Sequence, residues 1–483
     1  MNCAIRLFVA LVACVAAVLP ARGGVVELDT VRSWGLPVLV IETVNHEEPR
    51  CEYVGPPEGC IGATTRNATK VPARLQLFSA DIADPEPLYD SGDYVPDTAG
   101  LTVNIRGNTS AFIDKKPYKL KLQRKADLLL RGDSECKDKN WLLLHDDDLK
   151  SLFGLTVSQV VGMKWTPAFT YVNVVFNGDY RGIYLLIEQV RRNRDCRLNC
   201  EKTGFVVELD PYWWNEELSI KSLAFSATYR YTFKYPEWDD VTDAQLAYVT
   251  QVMNKFDKSI AKGTYPQYID VASMARWLVA HEIMGTWDSG GANKYFLKYD
   301  NSDTTLLEMP VLWDFDSSMQ MEGAWSRLHS DIFRRFFSNS NMELVKQWQH
   351  RWRTLTPWVA DTIKARYKRW VKSEQGRGVE ASRPHDNARW GTAHPTVADC
   401  RKQVNAWIKA RKLWLDEHVD DFYADPCAPA DVNEDGRVDV DDLNLVINIM
   451  MRRKQPFYRA DVNCDAVVDI DDVNAVVNAI MSK

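Results

Sequence analysis

The sequence predicts an α+β protein: one large domain with strands in its first half and helices in its second, then a small all-α module built on calcium-type loops. Three observations predict it. Up to about residue 235, short runs alternate apolar and polar side chains between Gly, Asn and Pro, the pattern of half-buried strands. Beyond that, apolar residues recur at three- and four-residue spacing over Val241–Ile260, Val271–Met284, Met342–Lys372 and Ala398–Phe422. From Asp431 onward an acidic loop pattern occurs twice in phase.

At 483 residues the chain is long enough for a large domain with an appendage. A hydrophobic fraction of 46% and a charged fraction of 26% suit an ordinary protein with a buried core. The net charge of −7 is unevenly placed: eleven acidic and six basic residues follow residue 430, and the rest is nearly neutral. No basic footprint for nucleic acid is present. The 17 Trp fit core positions with satisfied N–H groups, or a stacking role where they stand beside polar residues.

Residues 1–23 read as a signal peptide. Arg6 supplies the positive start, Leu7 to Leu19 the apolar run, and Ala21-Arg22-Gly23 the small-residue cleavage site. That run is shorter than a membrane span and no later stretch is longer, so no transmembrane segment is expected. Leu11-Val12-Ala13-Cys14 resembles a lipoprotein box, but apolar sequence continuing past Cys14 favours plain export. The expected location is secreted or cell-surface, the periplasm included. Export permits disulfides; Cys51/Cys60 and Cys196/Cys200 are close enough to close small loops, but spacing does not fix the connectivity.

In the large domain (24–423), Leu36 to Thr43 and Ala73 to Phe78 are the first strands. Thr102 to Ser110 and Lys115 to Leu122 then read as strand, glycine turn, strand. In the second of these Lys119 and Lys121 share one face. Arg106 before Gly107 puts a guanidinium beside a turn, able to clamp phosphate or carboxylate or to sit on a solvated basic face. Asn140 to Asp148 ends a strand in three carboxylates, which suit the start of a helix over Leu152–Met163. Tyr171 to Gln189 is a hairpin around Asn177-Gly178, and Glu188 on its apolar second strand needs a partner or a task. Phe205 to Asp210 is a further strand.

The stretch from Thr286 to Asp316 carries the chemistry. Asp288 and Asn293 are separated by four residues, the spacing of a kinase-type catalytic loop in which the Asp orients a hydroxyl and the Asn holds magnesium. Asp314-Phe315-Asp316 stands where a second metal-holding step is wanted. Strands are expected at Tyr295–Tyr299 and Val311–Trp313. Oxygen donors at adjacent strand ends suit a hard cation; taken alone, the same residues are also ordinary turn formers.

Residues 424–430 form a Pro-containing linker to the module at 431–483. There Asp431, Asn433, Asp435, Asp439 and Asp442 occupy positions 1, 3, 5, 9 and 12 of a calcium loop, with the carbonyl of Arg437 at position 7. Thirty residues later Asp461, Asn463, Asp465, Asp469 and Asp472 repeat the pattern, with Val467 at position 7. Each loop is followed by an amphipathic helix. Asp at position 12 and the lack of a preceding helix make the module resemble a type I dockerin. That resemblance implies two Ca2+ ions and a face for a cohesin-like or other surface protein. Val440-Asp441 and Ile470-Asp471 depart from the Ser/Thr pairs of cohesin-binding members.

The large domain resembles the CotH family of spore-coat-type atypical protein kinases through RGNTS with KKPYKLKL, NWLLLHDDD, NGDYRGIYLLIEQV, GFVVELD, the Asp288/Asn293 loop and WDFD, in that order. The resemblance implies a divergent protein-kinase-like fold that transfers phosphate from ATP, with Mg2+ or Mn2+, to protein Ser or Thr. It implies Asp288 as catalytic base, Asn293 and Asp314 as metal ligands and Asp316 as a further one. Lys119 or Lys121 would meet the ATP phosphates, with Glu188 as ion-pair partner and Arg106 nearby. The function expected is a secreted kinase acting on a secreted protein and tethered through its tail. The alternatives are a catalytically silent cell-surface protein and an accessory of an extracellular polysaccharide-degrading complex.

Overall fold

The computed structural model describes residues 26–482 apart from 59, 61, 133–135, 226–228, 289–291, 327–332, 334–335, 337–340, 422–429, 434–436, 455–459, 461 and 464–467. The expected signal peptide with Cys14, nearly all of the linker, and the loop positions Asp435, Asp461, Asp465 and Val467 lie outside the described residues.

The first half folds as a closed sheet. Its strands are β1 (Val38–Thr43), β4 (Val71–Phe78), β5 (Tyr89–Asp90), β6 (Leu101–Ile105), β7 (Tyr118–Ala126), β8 (Asp138–Leu144), β9 (Phe169–Phe176) and β10 (Asp179–Glu188). A separate short hairpin pairs β2 (Glu52–Val54) with β3 (Thr64–Arg66). The order in the large sheet is β1-β9-β10-β8-β7-β6-β4-β5, and β4 pairs back onto β1. The ring is thereby closed, with β5 appended outside it. All its ladders are antiparallel except β1 with β9, which run parallel from Val38↔Asn173 to Ile41↔Phe176. Alternation decides what fills it. Leu120, Leu122, Trp141, Leu143, Val174 and Leu186 turn into the barrel core, so their neighbours Lys119, Lys121 and Leu142 face outward. The Asn177-Gly178 turn takes left-handed backbone at both residues (φ 50° and 78°), as a two-residue hairpin requires. The Asn177 carboxamide oxygen also accepts the Thr43 N–H at 2.9 Å, fastening β1 to the hairpin.

The second half packs helices on a five-stranded antiparallel sheet. Its strands are β11 (Phe205–Asp210), β12 (Ser219–Lys221), β13 (Arg230–Tyr235), β14 (Lys294–Lys298) and β15 (Leu307–Glu308), in the order β12-β13-β11-β14-β15. After the short α1 (Leu28–Arg32) come α2 (Lys150–Val161), α3 (Asp243–Ala261), α4 (Val271–Met284), α5 (Glu343–Leu355), α6 (Val359–Val371), α7 (Glu374–Trp390) and α8 (Val397–His418). One continuous apolar core joins the outer face of the barrel to this sheet and its helices, with Phe153, Trp277, Phe296, Trp348 and Tyr367 fully or almost fully buried.

Three expectations need correction. Met342–Lys372 is two helices rather than one: Pro357 has no N–H to continue the ladder, and the backbone leaves helical values at Trp358 (φ −136°) before the second helix starts. Val311–Trp313 is not a strand; β14 pairs with Leu307–Glu308 instead, and 311–313 is buried loop. Helix α7 went unforeseen because its buried face is polar: Ser382, Arg383 and Asp386 are all interior.

The C-terminal helices α9 (Val440–Met450) and α10 (Ile470–Met481) carry their own core of Val432, Val438, Val446, Ile449, Ala460 and Val476. Among the described residues no helix is long and apolar enough to cross a membrane.

Candidate active site

A cleft of about 880 Å³ lies between the barrel and the five-stranded sheet. That size matches a site for a small-molecule or cofactor ligand. Outward-facing Leu142, Leu144, Leu185 and Ile187 form an apolar wall, with Lys119 beside them. Across from it stand Asp288, Asn293, Asp314 and Asp316, with Arg106 also in the lining.

The acidic side begins at the end of α4. Gly285 closes that helix in the left-handed conformation (φ 62°), and a Cβ there would meet the Trp407 ring at 2.3 Å, so only glycine fits. Thr286 is buried and its hydroxyl meets His281 Nδ1 at 2.7 Å, which fixes the backbone just before Asp288. Burial holds the His281 imidazole down at about 3, so it is neutral at physiological pH. The second acidic segment is stitched to the same helix end: the N–H of Met319 donates to Met284 O at 2.8 Å and that of Met321 to Gly285 O at 3.1 Å.

These contacts bring the sequence-separated acids together. Candidate ligand oxygens of Asp288, Asp314 and Asp316 all lie within 4.8 Å of one another. Asn293 Nδ2 donates to Asp314 Oδ2 at 3.5 Å, and both residues have left-handed backbone. Burial within the cleft, then Asp316 and Asp288, push the Asp314 carboxyl up to about 7, opposed by Arg106. Burial and Asp316 likewise raise Asp288, against the pull of Lys294. Three mutually repelling carboxylates and an amide form an all-oxygen donor set suited to a hard divalent cation.

On the barrel side the structure separates the two lysines. Lys119 lines the cleft, and among the described residues its ammonium has no hydrogen-bond or ion-pair partner within contact distance. Burial lowers its pKa, with Glu237 pulling the other way. Lys121 lies on the same face but is exposed and outside the lining. Arg106, at the end of β6, is also lowered by burial, and Asp314 is the first charge to support it.

Glu188 is elsewhere. It lies on the opposite face of β10 from Ile187, so alternation turns it away from the cleft and from both lysines. Its fully buried carboxylate accepts Arg131 Nη1 at 3.1 Å and the Ala168 N–H at 2.9 Å, with Arg197 Nε at 3.6 Å. The expected Lys–Glu188 pair is replaced by an arginine-clamped structural charge.

The first two of the three aspartates after β8 divide in role. Asp146 caps α2 by accepting the N–H groups of Ser151 and Leu152, as the sequence suggested. Asp147 accepts Lys115 Nζ at 2.7 Å, in a buried cluster that includes Asp386 of α7.

Several cleft residues were missed. Lys150 Nζ donates to the Asp316 carbonyl at 2.6 Å, and Phe315 lies so close to Gly154 that a Cβ there would be 2.0 Å from the ring. Helix α2 therefore holds the Asp314–Asp316 turn from above. No sequence signal marked Gly154, an unremarked glycine within a helix. Glu208 and Asp210 alternate on β11 and both line the cleft, a signal that was legible. Glu208 pairs with Lys234 Nζ at 3.0 Å, and burial with Glu208 pushes Asp210 up to about 7.

In the C-terminal module the last aspartate of each loop is buried and takes equivalent contacts. Asp442 accepts the N–H groups of Val432, Asn433 and Asp439, and Asp472 those of Asn463 and Asp469. Asp439 and Asp469 cap α9 and α10. Asp431 and Arg437 are also among the described residues.

No curated protein sequence matches the chain. Residues 103–375, from β6 to the start of α7 and more than half of the sequence, match the family described as CotH kinase protein. That match spans every residue of the cleft's acidic set, together with Arg106 and Lys119. The chain belongs to the CotH kinase protein family.

Proposed function

We propose that the protein is an atypical kinase that transfers the terminal phosphate of ATP to Ser or Thr hydroxyls of an exported protein. The observation that carries this is the juxtaposition, across one cleft, of the Asp288/Asp314/Asp316 cluster with Asn293 on one side and Arg106 and Lys119 on the other. Asn293, Asp314 and Asp316 are suited to hold Mg2+ or Mn2+. When bound, such a cation neutralises the charge of the transferring phosphate. Asp288, raised by burial and by Asp316, is the group to accept the proton of the acceptor hydroxyl. Lys119 and Arg106 bring positive charge to the phosphates, and the leucine wall accepts an apolar ring.

The same reading extends to export and tethering. The charge, apolar run and cleavage pattern of residues 1–23 support secretion. Matching contacts of Asp442 and Asp472 support a duplicated calcium-binding module, with a cohesin-like or other surface protein as its partner.

The test is label transfer from γ-labelled ATP by the purified full chain with Mg2+ or Mn2+, alone and with exported proteins of the same source. Asp288→Ala and Asp314→Ala serve as controls. Transfer lost in both variants supports the kinase. No transfer and no nucleotide-dependent rise in melting temperature in the intact chain would leave a silent binding protein. Reducing-sugar release from polysaccharide would point instead to carbohydrate degradation.

A further inference from the structure

Two cysteines far apart in sequence meet outside the cleft. Cys136 lies in the connection entering β8, and Cys196 in the excursion between β10 and β11, yet the Cys196 thiol hydrogen-bonds to that of Cys136. The surrounding backbone is held on both sides. Arg131 Nη2 donates to Cys136 O at 3.2 Å, and Trp165 Nε1 to Cys196 O at 3.1 Å. Further bonds bind the same two segments: Asn193 Nδ2 to Asp138 Oδ2 at 3.1 Å, and Arg197 Nη2 to Asn140 O at 2.9 Å. The thiols are therefore presented to each other by a docked interface rather than by two loose loops.

We infer that Cys136 and Cys196 are the site of a structural disulfide that staples the excursion at 191–200 to the segment entering β8. The nearer sequence neighbour, Cys200, has different surroundings. It is buried, its carbonyl accepts Arg192 Nε at 2.7 Å, and the charges acting on its thiol are Arg192, Glu201 and Lys164. Spacing left the connectivity open, with Cys196 and Cys200 near enough to close a small loop; the fold brings Cys136 to Cys196.

The chemistry is two exchanges with a low-molecular-weight disulfide such as oxidised glutathione. In the first, one cysteine thiolate attacks the oxidant, forming a mixed disulfide and releasing one small thiol. In the second, the other cysteine displaces the second small thiol and the Cys136–Cys196 bond forms. The protein loses two electrons and two protons, and the oxidant is reduced to two thiols. Burial, the hydrogen bond to Cys136 and the nearby Glu188 push the Cys196 thiol up to about 12. In the folded protein it is a poor nucleophile, so the bond belongs to folding in an oxidising compartment rather than to reversible signalling. Once formed it is shielded by the same packing.

Peptide mapping tests this. The full chain, with its own leader, is produced in an oxidising compartment, blocked with iodoacetamide and digested with trypsin without reduction. Cleavage after Lys137, Arg194 and Arg197 separates Cys136, Cys196 and Cys200 into three peptides. The expected result is residues 132–137 linked to 195–197, with residues 198–202 not joined to either. Linkage of 195–197 to 198–202, or alkylation of both Cys136 and Cys196 before reduction, would overturn the assignment. As a second measurement, a phosphine reductant should lower the melting temperature of the intact chain by several degrees. That shift should shrink or vanish in Cys136→Ser/Cys196→Ser; an undiminished shift counts against the bond.

Discussion

Asn293 and Asp314 meet across the floor of the cleft, amide to carboxylate at 3.5 Å, and each holds a left-handed backbone, at φ 63° and 65°. Asn and Asp tolerate that conformation better than most residues, but it is sparsely populated, and paired outliers of this kind gather where geometry serves a site. This backbone sets the Asn293 carboxamide against the Asp314 carboxylate, beside the Asp288 and Asp316 oxygens. We expect Asp314→Asn to abolish the metal-dependent rise in melting temperature with nucleotide. Asp288→Asn should retain that rise while lowering phosphate transfer by about 10²–10⁴-fold, the usual worth of a general base. Thermal shift and label transfer, measured on the same preparations, separate the two.

Acidity should govern metal binding. Burial in the cleft, with Asp316 and Asp288 beside it, pushes the Asp314 carboxyl from its ordinary 3.8 up to about 7. Its contribution to stability is therefore present at low pH and is lost as pH rises through about 7. A divalent cation relieves the resulting repulsion and must displace the proton to bind. The rise in melting temperature on adding Mg2+ should be larger at pH 7.5 than at pH 5.5, and the difference should largely disappear in Asp314→Asn.

Helix α2 should act on the site without touching substrate. Gly154→Ala drives a methyl into the Phe315 ring, and the turn bearing Asp314 and Asp316 must move. Overpacking of this kind costs about 1–3 kcal/mol. We expect a lowered melting temperature and a weaker Mg2+ response together. Lys150→Met, which loses only the bond to the Asp316 carbonyl, should weaken the Mg2+ response with little change in stability.

The charged residues of the barrel should divide cleanly. Lys119→Met should weaken nucleotide binding about tenfold or more, while Lys121→Met, outside the cleft, should leave it unchanged. Glu188→Ala removes the buried carboxylate that Arg131 and Arg197 share, leaving them Asp127 and Asp138, and should cost about 1–3 kcal/mol of stability. Titration calorimetry and chemical denaturation read these effects separately.

Chelation should report on the tail. With EGTA, the helical signal of α9 and α10 should fall while the melting transition of the large domain stays in place. A tail whose amide exchange is indifferent to EGTA would remove the calcium assignment.

Much of this site was legible because it rests on local spacing. Asp288, Asn293 and the Asp314–Asp316 pair were readable from short motifs, and alternation put Lys119 and Lys121 on one face. What sequence lacked was the third dimension. Which lysine meets the cleft depends on how far along β7 the cleft extends. Glu188 looked like a partner for it, because a strand pattern does not say which face of a barrel is the interior. Arg131, which stands in an Arg-Gly-Asp tripeptide, supplies the actual partner through a contact 57 residues away. Helix α7 escaped notice for a related reason: an apolar periodicity cannot reveal a helix whose buried face is polar.

The pairing of β1 with β9 also bears on how the chain reaches this state. Strand β1 can pair early with β4, but its other edge must wait for residues 135 positions downstream, and the ring closes only when Val38–Ile41 aligns with Asn173–Phe176. Closing so long a loop is entropically unfavourable, and non-local parallel pairing is slow. During synthesis the barrel that walls one side of the cleft therefore stays open until the β9–β10 hairpin has emerged. The unclosed edges of β1 and β9 are then the surfaces most exposed to mispairing, and the seam between them is where a folding defect should first be seen.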